Sequence, residues 1–190
     1  VDNYLDEKMG ADTKPNDKPY KDGACYTGKE HSWDEAFGYW GAAAHSLLLS
    51  AEQNYNVAKK KDLASADHNG DGVVDLKSEY VFAHAYYASS FDKGGKTTYM
   101  ADITRAFLDG RKLITSTNGE KLSDAQRSEL MGYVDDISTN WEKVIAESVF
   151  KYAGSTYKSL VALEDVSNAD LSKEFSKYMK YWGELKGFSM

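Results

Sequence analysis

A single cysteine in 190 residues, Cys25, leaves no internal disulfide to be made. A thiol-poor chain suits an extracytoplasmic protein that avoids free thiols, and equally a reduced cytosolic one. With no histidine at a fixed spacing beside it, Cys25 is not read as a nucleophile. Proline is almost absent too: both prolines, Pro15 and Pro19, fall in one short stretch, so the rest of the chain is free to run as helix. No apolar run approaches the roughly 20 residues that span a bilayer. Basic residues are in deficit, 23 against 30 acidic, for a net charge of −7. That balance argues against a nucleic-acid partner, which requires a clustered basic face. The one dense basic run, Lys59-Lys60-Lys61, reads as a solvated helix end.

What is present is apolar and aromatic. Hydrophobic residues make up 42% of the chain and tyrosine alone accounts for 14 positions. A chain of this length buries a core without staples and fits one domain, residues 1–190. It starts at Val1 rather than Met and carries no signal peptide, as a processed product or a piece of something longer would.

The apolar spacing is helical almost throughout. Ser32 and Glu35 form an S-x-x-E capping pair, and Trp33, Phe37, Trp40, Ala44, Leu47, Leu48 and Ala51 follow at threes and fours. That pattern predicts a helix from about residue 33 to the mid-fifties. Gly38 and Gly41 inside it call for a neighbouring helix close by. Leu76, Tyr80, Ala83, Tyr87 and Phe91 mark a second helix, closed by Gly94-Gly95, and Met100, Ile103, Phe107 and Ile114 a third, ending near Asn118-Gly119. Ser123 opens the longest, along Leu130, Val134, Ile137, Trp141, Val144, Val149 and Tyr152, with Gly154 a point to kink or end it. Ser167 and Asp170 precede the last, Leu171 to Leu185. The expected fold is all-α, a bundle of about five long antiparallel helices. Residues 10–29 are the exception, a long polar loop holding both prolines and pinned by Tyr20 and Tyr26.

The most informative stretch is DHNGDGVVDLKSE, residues 67–79. Asp67, Asn69, Asp71, the carbonyl of Val73 and Asp75 stand at positions 1, 3, 5, 7 and 9 of a twelve-residue loop. Those are the positions from which such a loop offers oxygens to calcium. Gly72 occupies position 6, where the sharp turn needs positive φ, and Val74 at position 8 supplies an inward apolar contact. Position 12 departs: Ser78 stands where a bidentate Glu is expected, and Glu79 follows about 100° further round a helix. Glu79 is the better closing ligand, since a carboxylate brings charge and two oxygens where a hydroxyl brings one neutral oxygen. Either closure weakens the site relative to a cytosolic sensor, toward the 10⁻⁴–10⁻³ M range of extracellular modules, roughly. A single EF-hand-like or dockerin-like calcium loop, inserted between helices, suits structural rather than switching use.

HSWDEAFGYWG, residues 31–41, offers a weaker second site. His31 with Asp34 and Glu35 one turn on could ligate iron or zinc. The competing reading makes Glu35 part of the cap and Asp34 a dipole partner. His45 and His84 read as packed helical histidines, and His68, at loop position 2, as pointing to solvent.

HSWDEAFGYWG with the preceding CYTGKE resembles the signature of an imelysin-related bacterial family. FLDGRKLI, NWEKVIAESVFKYAGSTYKSL and EFSKYMKYWGELKGF follow in that family's order. The resemblance implies a secreted or lipid-anchored helical protein, longer at its N-terminal end, in which the calcium loop is an insertion. It also implies a link to iron uptake, and for some members metallopeptidase activity through G-x-H-x-x-E. This chain departs from that motif: His31 lies three residues after Gly28, Asp34 three beyond it, and Glu35 one later. Nothing resembles H-E-x-x-H either.

Three functions follow as expectations. The first is an extracytoplasmic calcium-binding partner protein serving metal or nutrient acquisition at the cell surface. The second is an imelysin-like metal-dependent peptidase, which the altered spacing disfavours. The third is a structural or adhesive calcium-stabilised module, although one unduplicated loop argues against a true dockerin. A partner polypeptide is expected, either the rest of a precursor, a second copy or a surface complex. Val1, Tyr4, Leu5 and Met9 read as the end of an interrupted helix. Gly38, Gly41, Trp40, Trp141 and Trp182 offer more apolar surface than five helices need.

Overall fold

The computed structural model describes residues 13–190. The interrupted helix expected at VDNYLDEKM lies outside the described residues. Those described form seven α-helices and no strand, so the chain is all-α. The helices are α1 (Gly28–Trp40), α2 (Ala51–Ala58), α3 (Leu63–Ala66), α4 (Ala83–Asp92), α5 (Tyr99–Ser116), α6 (Asp124–Val161) and α7 (Leu171–Phe188), with a 3₁₀ turn at Ser46–Leu48. The chain divides between Trp141 and Glu142, within α6, into two compact units.

The helix expected from 33 to the mid-fifties is two helices, and its cap lies elsewhere. Thr27 and Glu30, not Ser32 and Glu35, form the capping box. Both pairs satisfy the same pattern, and a tertiary contact selects the first. The Thr27 hydroxyl donates to Asn16 Oδ1 at 2.8 Å. Asn16 in turn donates to Thr117 Oγ1 at 2.7 Å and the Glu120 carbonyl at 3.1 Å, tying the polar loop to the end of α5. Gly41 then stops α1 with a φ of 83°, and Ser50 with Gln53 opens α2 with a second capping box. A Cβ at Gly41 would sit 2.6 Å from the Phe82 carbonyl oxygen, so the close approach expected on this face is real at Gly41. At Gly38 nothing lies within 4 Å.

In the first unit α1 and α5 cross under an aromatic core. Trp33 Nε1 donates to the Phe107 carbonyl at 2.8 Å and Trp40 Nε1 to Thr104 Oγ1 at 3.0 Å, so both indoles are buried with their polar atoms satisfied. Trp40 meets Trp141 edge-on at 5.1 Å, and Phe107 meets Trp33 edge-on at 5.9 Å. Gly110 lets the helices approach: a Cβ there would lie 2.2 Å from the Trp33 ring. Met100, Ile103, Phe107 and Ile114 are all buried, as the spacing predicts. Leu130, Val134, Ile137 and Trp141 continue that core along α6, whose start is capped by Ser123 and Gln126.

The second unit is the end of α6 with α7. Gly154 lies inside α6, which runs on to Val161. Tyr152 is buried, with ring contacts to Tyr181 at 6.3 Å and Phe188 at 5.8 Å. No residue of α7 is fully buried.

Candidate metal centre

The acidic loop lies between α3 and α4. Asp62 caps α3 by accepting from the Ser65 N–H at 3.0 Å. The chain then turns around the Asp67 carboxylate. Oδ1 accepts the N–H groups of Gly70 and Asp71 at 2.9 and 3.1 Å, and Oδ2 accepts that of Gly72 at 2.9 Å. Gly70 and Gly72 take φ values of 73° and 83°, the left-handed conformation that position 6 requires. Asn69 Oδ1 accepts from Asp71 N–H, and Asp71 Oδ1 from Val73 N–H, each at 2.8 Å. Val74 is half-buried and Val73 exposed, in keeping with one inward apolar side chain.

Glu79 closes the loop. Its Oε1 accepts from His68 and Asn69 N–H at 3.1 and 3.2 Å, and its Oε2 from Asp75 N–H at 2.9 Å. The carboxylate thus clamps the beginning of the loop to its last third, and the residue is only 5% exposed. Ser78 does not compete for this place: its hydroxyl donates to Asp75 Oδ2 at 2.9 Å. Asp75 also accepts from Lys77 N–H at 2.9 Å. The Lys77 N–H and the Ser78 hydroxyl hold its carboxyl below the usual range. Asp75 therefore caps the turn after the loop, and position 9 is the one that commonly reaches calcium through water.

That turn is all that remains of the helix expected from Leu76. Leu76 is exposed, and α4 begins only at Ala83. The intervening segment bonds to the residues that follow α1. Ala44 N–H donates to the Ser78 carbonyl at 2.7 Å, and Phe82 N–H to the Gly41 carbonyl at 2.9 Å. Val81 is fully buried and the Tyr80 hydroxyl donates to the Ala58 carbonyl at 3.0 Å. Two histidines brace the other side. His68 does not simply face solvent: its ring stacks on His45 at 4.6 Å, and His45 Nε2 lies 2.9 Å from the Ser65 carbonyl. These supports join residues 20 to 41 apart in the chain, from His45 with Ser65 (65 − 45) to Gly41 with Phe82 (82 − 41), and no local pattern announces them.

The second candidate set is divided between partners. Asp34 accepts from Arg111 Nε at 2.8 Å, while His31 Nε2 lies 3.7 Å from Glu35 Oε1. His31 is also covered by Tyr20 at 3.9 Å and Tyr26 at 5.7 Å between ring centres, the two tyrosines expected to pin the polar loop. Arg111 reaches further to Glu30 Oε1 at 2.7 Å. Burial pushes the Glu30 carboxyl up, but the Thr27 N–H and the Arg111 guanidinium outweigh it and leave it below the usual range. The FLDGRKLI segment thus supplies the ion-pair partner of HSWDEAF, a pairing sequence order alone does not give.

Among the described residues, no three His, Cys, Asp or Glu side chains are grouped to hold a metal ion. That holds for the acidic loop as well, where the carboxylates of Asp67, Asp71, Asp75 and Glu79 accept from neighbouring N–H and hydroxyl groups. The groups at positions 1, 3, 5, 7 and 9 of the loop carry oxygens, the hard kind that suits calcium rather than zinc. Among those same residues no helix is long and apolar enough to cross a membrane. Comparison of the chain with protein-family models, with curated proteins and with solved structures finds no match.

Proposed function

We propose that this chain is an extracytoplasmic calcium-binding helical protein whose bound ion is structural, and that it serves metal or nutrient acquisition at the cell surface together with another polypeptide. The observation that carries the calcium reading is Glu79, one place late in sequence, spanning the loop to the N–H groups of His68, Asn69 and Asp75. A carboxylate already held there needs little reorganisation to serve as the closing ligand. Asp67, Asn69, Asp71, the Val73 carbonyl and Asp75 complete the set. The bonds from Ser78 and Phe82 to Ala44 and Gly41 join the loop to the core, which supports a stabilising rather than a switching ion. The imelysin-like segments support the extracytoplasmic place and the acquisition role.

Isothermal titration of chelator-treated protein tests this. Binding in the 10⁻⁴–10⁻³ M range, roughly, is expected. Asp71→Ala should abolish it and Glu79→Gln should weaken it about tenfold or more, whereas Ser78→Ala changes it little. A parent chain with neither binding heat nor a melting shift at millimolar calcium would overturn the assignment. Equal affinity in Asp71→Ala would do the same. On this reading His31, Asp34 and Glu35 perform no hydrolysis. Chelator-sensitive cleavage of an unstructured protein, lost in His31→Ala, would instead establish the peptidase reading.

A further inference from the structure

The second half of α6 has two sides that invite packing, and one of them is open. Ser148, Tyr152 and Ser159 are buried, and Tyr152 meets Tyr181 and Phe188 of α7. Phe150 and Tyr157 each stand two residues from that buried row, about 200° round the helix and so on its opposite side. Val161, four residues beyond Tyr157, shares their side, and Leu160 lies at its edge. All four are exposed, Phe150 at 79% and Tyr157 at 68%. Ala146, Ala153 and Gly154 lie between them and are exposed as well. A Cβ at Gly154 would meet nothing within 4 Å. Glycine inside a helix costs ~1 kcal/mol against alanine, and no neighbour among the described residues accounts for this one.

Charge and register select the occupant. Residues 142–190 balance seven acidic against seven basic side chains, so residues 1–141 hold the whole net charge of −7. Two copies brought together through the first unit repel, whereas the open face of α6 meets its own copy without that cost. The face is also complementary to itself when two helices run antiparallel about a point between Ala153 and Gly154. Phe150 then lies opposite Tyr157 of the second copy, Ala146 opposite its Val161, and Glu147 within a turn of its Lys158. The small residues fall at the crossing, where they let the axes come close. At about 200 Å² per large side chain, Phe150, Tyr157, Leu160 and Val161 leave roughly 500 Å² open on each copy. That is short of the ~800 Å² per partner of a stable complex and suits a weak one.

We propose that α6 pairs with α6 of a second copy of this chain, antiparallel and centred between Ala153 and Gly154, in a weak symmetric dimer. A two-fold contact of this kind uses the same patch on both copies, as a face complementary to itself allows. A dissociation constant on the order of 10⁻⁵–10⁻⁴ M fits the area, so the dilute chain is a monomer with this face open. The pairing makes the polypeptide partner of the proposed function a second copy, and it does not rest on calcium at the acidic loop.

The test is sedimentation of the full chain in chelator, from about 1 µM to about 500 µM, a range that brackets the expected constant. Monomer at the low end and dimer at the high end are expected. Phe150→Ser/Tyr157→Ser should weaken the association about tenfold or more, since aromatic anchors carry most of an interface. Phe175→Ser/Trp182→Ser on α7 removes exposed aromatic surface elsewhere and should leave it unchanged, with helical circular dichroism checking both variants. Cross-linking reads the register in a Cys25→Ser background. Gly154→Cys should give a disulfide-linked dimer on mild oxidation, because its two copies meet at the centre. Glu147→Cys should not, its two copies standing ~20 Å apart along the pair. A chain that stays monomeric throughout would overturn the pairing and leave the face to a different protein. An equal loss in the α7 variant, or as much cross-linking at Glu147→Cys as at Gly154→Cys, would overturn it as well.

Discussion

The two units are made of equally helical sequence but use it differently. In the first, the apolar faces of α1, α5 and α6 meet: Trp33, Trp40, Phe107 and Trp141 are buried, and the indole N–H groups of Trp33 and Trp40 donate to Phe107 and Thr104. In the second, Phe150, Tyr157, Phe175, Met179 and Trp182 remain exposed, Phe150 at 79% and Trp182 at 42%. Charge divides the same way. Residues 142–190 hold seven acidic and seven basic side chains, so the whole net charge of −7 resides before Glu142. The lesson is that helical periodicity measures the wish to bury a face and not its fulfilment. Trp141 and Trp182 have like spacing, and only one is covered.

Glycine gives the sharpest way to break the comparison. Gly110→Ala puts a methyl against an indole that is fixed by its bond to Phe107, at 2.2 Å from the nearest ring carbon. A loss of about 3 kcal/mol or more is expected, at or above the upper end of overpacking penalties. Gly154→Ala and Gly183→Ala in the second unit meet nothing within 4 Å. There the helix-propensity gain should prevail, adding up to ~1 kcal/mol. Urea unfolding of the three variants checks the opposite signs. A cycle with Trp33→Phe should recover part of the Gly110→Ala loss, and additive losses would show that the indole is not the obstacle.

Calcium should come next in size and act on the first unit. At a hundred times its dissociation constant the ion adds about 2.7 kcal/mol of stability. Fluorescence of buried Trp33 and Trp40 should follow that shift. A Trp182 signal that moved instead would break the assignment to the acidic loop.

A smaller effect is expected from the ion pairs that join α1 to α5. Arg111→Met should cost about 1–2 kcal/mol at neutral pH, since charged hydrogen bonds to Glu30 and Asp34 are lost near the surface. The Glu30 carboxyl is held below its ordinary range, so its contribution is complete above that range and disappears as pH falls through the lowered value. Glu30→Gln should therefore flatten the acid limb of the stability curve, measured by urea unfolding from pH 6 down to about 3. An unchanged limb would mean that other carboxylates carry it.

The smallest change belongs to the exposed face. Phe150→Ser or Tyr157→Ser should alter stability by less than about 0.5 kcal/mol, as surface substitutions do. Binding of a hydrophobic dye should nonetheless drop, and an equal drop from a change in the first unit would remove the contrast between the units.

Much of this was readable in order along the chain. The spacing of Met100, Ile103, Phe107 and Ile114 marked the buried face of α5 because a 3.6-residue repeat puts them on one side. Ser123 marked the start of α6, and Asn118 and Gly119, with φ of 52° and 80°, the end of α5. The turn chemistry of residues 67–75 was equally local: Asp67, Gly70 and Gly72 interact with neighbours no more than five residues away. What the sequence could not decide was each choice between locally equal options. Two capping pairs stood side by side, and Asn16, bound to Thr117 and Glu120 about a hundred residues on, selected Thr27. An alanine-rich run kept helical spacing from Trp33 to Ala51, and the Phe82 backbone against Gly41 broke it. Ser78 and Glu79 were both within reach of the loop's end, and the hold of Asp75 on the Ser78 hydroxyl left Glu79 to cross it. Local residue chemistry thus determined where the chain turns and which faces are apolar. Contacts between distant segments decided which cap and which break prevailed, because only they supply the free-energy difference between alternatives that are equal within one turn.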